Sequence, residues 1–153
     1  MFDQDITQHG SASRKRGGLQ FDCHKIAGGY AVGEALVADN DSICFYLVDP
    51  RTGIVIEKNH ELEGQSIARK VLIFPGGKGS SVVQLDGLYQ LSLYGNAPKA
   101  MVIRHPETVL VASAIIMEVP LVDRLADTFY KAVKSGDQVE VNASQGIITL
   151  VKR

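Results

Sequence analysis

Cysteine is scarce in this chain. Cys23 and Cys44 are the only two, too few and too far apart for a disulfide framework or a CxxC site, and they read as reduced, packed thiols. An iron–sulfur cluster normally takes three or four cysteine ligands, so the chain cannot hold one alone. Excess charge of either sign is also missing. Sixteen basic and 17 acidic residues leave a formal charge of −1, which gives no field for nucleic acid or an anionic membrane surface. No apolar run approaches the ~20 residues of a membrane span. The N-terminus has no hydrophobic signal region, so the expected compartment is the cytoplasm. His9, His24 and His60 each stand alone in sequence and suggest no metal site. A phosphate-binding GxxxxGK[ST] loop is absent too, because Lys78 precedes the last glycine of its cluster, and nucleotide binding is disfavoured.

What is present suits one domain. Residues 1–20 are polar, carry glycine and serine, and read as a flexible N-terminal tail in which Arg14, Lys15 and Arg16 are solvated. Residues 21–153 are enough to bury a core. Residues 21–38 read as strand, glycine bend, strand, with Gly28 and Gly29 at the bend. Residues 43–48, ICFYLV, read as an apolar strand closed by a turn at 49–53, after which Ile54, Val55 and Ile56 resume a short strand. Residues 71–74 are a central strand covered on both faces.

Over residues 82–94 the spacing of Val82, Leu85, Leu88, Tyr89 and Leu91 predicts a helix with one buried face, stopped by Gly95 and Pro98. Residues 100–103 are a strand, and 109–117 are strand or short helix, which periodicity does not decide. A short strand at 120–123, a short helix at 127–133 and a C-terminal hairpin turning at 142–146 complete the chain. Many short strands with few helices in mixed order predict a compact α/β domain whose sheet curls into a partial barrel.

The stretch VLIFPGGKGSS, residues 71–81, carries the candidate chemistry. A buried strand runs into a turn whose Gly76, Gly77 and Gly79 can take positive φ and aim successive N–H groups inward as an anion cradle. Ser80 and Ser81 follow at the head of the next element. The plain alternative is a connection in which Ser80 or Ser81 caps a helix.

The segments GEALV (33–37), DPRTGIV (49–55), GQSIARKVLIFPGGKGSS (64–81), NAPKA (96–100), VPLVD (119–123) and AVKSGDQVEVNASQG (132–146) together resemble the small, swivel-domain subunit of the aconitase X family. The resemblance implies a swivelling β/β/α domain that pairs with a large subunit bearing iron or an iron–sulfur cluster. The implied reaction is a dehydration: a proton leaves the carbon beside a carboxylate and hydroxide leaves the next carbon. The implied substrate is (R)-5-phosphomevalonate, with cis-3-hydroxy-L-proline as the alternative; a non-catalytic anion-binding or scaffolding paralogue is the reading from another class.

The family's FPxGxGS motif falls on residues 74–80. It implies Ser80 as proton acceptor, Gly76, Gly77, Gly79 and Ser81 as the substrate cradle, and Lys78 as added charge near a carboxylate or phosphate. Three departures lie close to that motif: a glycine pair is missing before the 49–53 turn, Val83 and Gln84 replace a pair such as Gly-Ser, and Ile103 replaces a common Asn. They bear on substrate choice and on whether activity is kept.

Overall fold

Strand β5, Val71–Phe74, is buried along its whole length, and the alternation of its side chains builds two cores. Leu72 and Phe74 point to one face with Leu36, Met101 and Ile103. Val71 and Ile73 point to the other with Ala35, Ala100 and Val102. A strand covered on both faces needs no polar alternation, which is why its sequence is a continuous apolar run.

The computed structural model describes residues 13–15 and 18–151. The other strands are β1 Ser13–Lys15, β2 Gly18–Asp22, β3 His24–Ala27, β4 Tyr30–Val37, β6 Ala100–Ile103, β7 Leu121–Asp123, β8 Gln138–Asn142 and β9 Ile147–Val151, with helices α1 Ser81–Leu93, α2 Thr108–Met117 and α3 Asp127–Ala132. They form one sheet in the order β1-β2-β9-β8-β4-β5-β6-β7-β3.

Strand β4 joins two regimes. Its first half, Tyr30 to Glu34, pairs antiparallel with β8, and its second half, Ala35 to Val37, pairs parallel with β5. Beyond it, β5, β6 and β7 run parallel, joined by α1 and α2 as two crossovers. Leu88, Leu91, Leu110 and Ala114 of those helices cover one face, and Phe129 of α3 covers the other. The mixed, curled α/β architecture expected from the sequence is the one observed. The sheet begins within the stretch expected as a tail, since β1 and β2 pair there; residues 1–12 and 16–17 of that expectation lie outside the described residues.

Two expectations are corrected. Residues 43–48 are not a strand: Phe45–Leu47 make one turn of 3-10 helix, and only single bridges form, Ile43 to Gly77 and Val48 to Val55. The place beside β5 is already filled by β4, so this apolar run buries Ile43, Phe45 and Val48 without joining the sheet and leaves Tyr46 and Leu47 exposed. Likewise residues 54–56 contribute isolated bridges rather than a named strand. The undecided run at 109–117 is α2. Its Glu107 N-cap accepts from the N–H groups of Val109 at 3.1 Å and Leu110 at 2.7 Å, a local preference that hydrophobic periodicity does not register.

Candidate functional site

The glycine loop leaves the C-terminal end of β5, the edge at which open parallel sheets present their ligand crevices. It is fixed from both sides. Ile43 N–H donates to Gly76 O at 3.0 Å and Lys78 N–H to Ile43 O at 3.0 Å, while Pro75 O accepts from Arg104 N–H at 3.1 Å and His105 N–H at 2.9 Å. Pro75 and Gly76 are buried, and exposure begins at Lys78.

These contacts change the account of the glycines. Only Gly79 has positive φ, 109°. Gly76 and Gly77 lie in tight places instead. A Cβ on Gly76 would stand 3.0 Å from the His105 carbonyl oxygen, and a Cβ on Gly77 would collide with Oε1 of Gln84. The expectation of positive φ at all three glycines is therefore corrected: the bridge to Ile43 holds the first two in ordinary backbone, and the chain reverses at the third.

Ser80 is the N-cap of α1, and its Oγ accepts from Val83 N–H at 3.4 Å. The capping reading of this serine is correct, and it does not compete with a chemical role. An oxygen that accepts a helix amide at the positive end of the macrodipole is better able to carry negative charge. Ser80 and Ser81 are both exposed. Among the described residues, the N–H groups of Ser80, Ser81 and Val82 find no backbone acceptor, as expected for a first helical turn. Ser80 thus combines an accessible oxygen, one donor to it and three free donors nearby.

Lys78 is occupied. Its Nζ lies 2.7 Å from Glu57 Oε2, so it ties the loop to residues 57–64 more than it offers a free charge. Arg104, on the neighbouring turn, stacks over the Tyr130 ring at 3.6 Å. His24 Nδ1 meets the buried Asp123 carboxylate at 2.7 Å, and His60 accepts from Leu62 N–H on Nδ1 while its Nε2 reaches Ser42 O at 2.9 Å. Both histidines are structural pins. Among the described residues no three His, Cys, Asp or Glu stand together as a ligand set.

Sequence reasoning missed Gln84. It is 2% exposed and its Nε2 donates to Gly79 O at 3.0 Å. Its only signal in the sequence is the departure at residues 83–84 from the small pair that the family resemblance implies.

The match to known proteins covers both the sheet and this loop. A model of the aconitase X swivel domain matches residues 20–150. The chain belongs to the aconitase X swivel-domain family. It is 48% identical over 128 residues to the phosphomevalonate dehydratase small subunit of Methanosarcina acetivorans, covering 83% of this chain and 88% of that protein. It is 41% identical to the small subunit of the same name from Archaeoglobus fulgidus, covering 88% and 100%. Among solved structures, aconitase X of Thermococcus kodakaraensis in its holo form superposes with a TM-score of 0.78 at 37% identity, covering 87% of this swivel domain and 98% of that chain.

Proposed function

We propose that this swivel domain is the small subunit of a two-subunit hydro-lyase that dehydrates (R)-5-phosphomevalonate to anhydromevalonate phosphate, with Ser80 as the proton acceptor. The observation that carries the reading is the exposed Ser80 Oγ at the head of α1, beside unpaired amides, in a chain 48% identical to a phosphomevalonate dehydratase small subunit. Ser80 acts as its alkoxide, its own proton having passed to solvent at the exposed face; Oγ then takes the proton from the carbon beside the carboxylate as hydroxide leaves the neighbouring carbon, giving a neutral serine and an alkene. A serine is a weak base in water, and aimed N–H donors are what make its alkoxide accessible. Gly76, Gly77, Gly79 and Ser81 shape the anion cradle around it, and Lys78, paired with Glu57, stabilises the loop's outer edge. A Lewis acid on the large subunit would supply the pull on the leaving hydroxide.

We infer that the large subunit docks on an apolar groove of α1 and α2. Val82 and Tyr89 of α1 and Ile116 of α2 are 64%, 46% and 62% exposed. With Leu85, Asp86 and Met117 they line an apolar groove of about 370 Å³ that starts two residues after Ser80. A large subunit that closes over Ser80 would cover this groove in the same movement, and exposed apolar faces of this kind mark interaction sites.

The test is Ser80→Ala in the heterodimer reconstituted with its large subunit. Turnover of phosphomevalonate should fall by ~10²–10⁴-fold, the usual worth of a positioned base, while the two subunits still co-elute. Unchanged turnover would sink the assignment of Ser80, and turnover of cis-3-hydroxy-L-proline in place of phosphomevalonate would sink the substrate.

A further inference from the structure

Gln84 is a fully buried amide with one half used and one half unused. Nε2 donates to Gly79 O at 3.0 Å, and Oε1 has no hydrogen-bond partner among the described residues. The orientation is fixed by chemistry: a backbone carbonyl only accepts, so the nitrogen must face Gly79. A buried acceptor without a donor is destabilising in itself. Keeping a glutamine here therefore calls for a benefit on its other side.

That benefit lies in the Gly79–Ser80 peptide. The C=O and N–H of a trans peptide point in opposite directions, and every described peptide bond in the chain is trans. With Gly79 O drawn toward the interior by Gln84, Ser80 N–H is directed outward, to the side where the Ser80 hydroxyl is exposed. Gly79, at φ 109°, is the residue whose freedom would let this peptide rotate. Were it to do so, a carbonyl oxygen would face any bound anion in place of a donor.

We propose that Gln84 is a positioning residue that locks the Gly79–Ser80 peptide with its N–H toward the substrate carboxylate or phosphate, and that its amide fits the space left open by the absent side chain of Gly77. The second half follows from space. A Cβ on Gly77 would collide with Oε1, with Gln84 Cδ also only 3.1 Å away. Gly77 lacks the positive φ that would make alanine costly through the backbone. Gly77→Ala is thus a second, independent way to dislodge the same amide. This role rests on the reading of Ser80 given above only for its effect on turnover; the peptide geometry stands apart from it.

Two measurements separate the claims. In the isolated chain, the residual dipolar coupling of the Ser80 N–H reports the direction of that bond. It should change in Gln84→Leu and in Gly77→Ala while couplings in β5 and β6 stay constant, and the double variant should add little to either single one. In the reconstituted heterodimer, each single variant should lower kcat ~10²-fold, the loss expected when one aimed donor is removed or misplaced, with a smaller change in KM and intact assembly. A Ser80 coupling identical to that of the native chain in either folded variant overturns the proposal, whatever Ser80 does. Full turnover in Ser80→Ala with an altered coupling in Gln84→Leu would instead remove the base and leave the peptide lock standing.

Discussion

At the scale of single residues, some glycines of this chain are set by what lies next to them and not by φ. Gly87 is the clearest case. It lies inside α1, where alanine ordinarily stabilises a helix by about 1 kcal/mol relative to glycine. Here a Cβ would stand 2.7 Å from both the carbonyl carbon and the Cβ of Phe45, and Phe45 is itself buried against Phe74 with ring centroids 6.3 Å apart. The neighbour is backbone and cannot yield, so overpacking outweighs propensity. Gly87→Ala should lower stability by about 1–3 kcal/mol, read as a shift of the urea midpoint at unchanged slope; a stabilised variant would show that the 3-10 turn moves freely. Ser80 and the 76–79 cluster were legible because strand, glycine and serine follow in immediate sequence. Gln84 and its fit against Gly77 were not, since both depend on one side chain folding back beneath a loop that precedes it.

At the scale of elements, local patterns located nearly every strand and helix but misassigned one helical face. The spacing in α1 admits two apolar faces. The one that packs on the sheet runs through Gln84, Gly87, Leu88 and Leu91, whereas Val82 and Tyr89, expected to be buried with Leu88 and Leu91, look outward. Periodicity reports that a face is apolar and not what it will meet. The outward stripe joins Ile115 and Ile116 of α2, both more than half exposed. If the large subunit closes here, Ile116→Glu should leave the isolated chain folded, since that side chain supports no core, and should weaken assembly by at least ~10-fold, the effect of burying an unpaired charge at an interface. Sedimentation of the mixed subunits measures it, with Lys131→Glu, an exposed residue of α3 on the other face of the sheet, as the control. Equal assembly of Ile116→Glu and the native chain would place the interface elsewhere.

At the scale of the whole molecule, the sheet's order could not be read from the sequence, because β3 pairs with β7 and β2 with β9, contacts about 100 residues or more apart that no local pattern encodes. Those long-range pairings bring together a group of ionisable side chains that sequence kept separate. Burial, with the Asp22 and Asp123 charges adding to it, pushes the Cys23 thiol from its ordinary 9.0 up to about 12. Burial also pushes the Tyr130 phenol up to about 12, with Arg104 opposing and Asp123, Asp127 and Cys23 reinforcing. Well below pH 9 both groups are protonated in the folded and the unfolded chain, so neither affects the pH dependence there. Between about 9 and 12 the unfolded chain releases these protons and the folded chain retains them. Stability must then fall as pH rises. Tyr30 and Tyr46, raised by their hydrogen bonds to Glu140 and Asp86, add to the decline in the same direction. The double variant Cys23→Ala/Tyr130→Phe keeps the aromatic surface under Arg104 and removes a buried hydroxyl that has no hydrogen-bond partner among the described residues. Its urea midpoint should decline less steeply than the native one from pH 9 to 11, with the remaining slope left to the exposed tyrosines. An unchanged slope would mean that the two buried groups ionise in the folded state as readily as in the unfolded one, and that the pairing of β3 with β7 does not shield them.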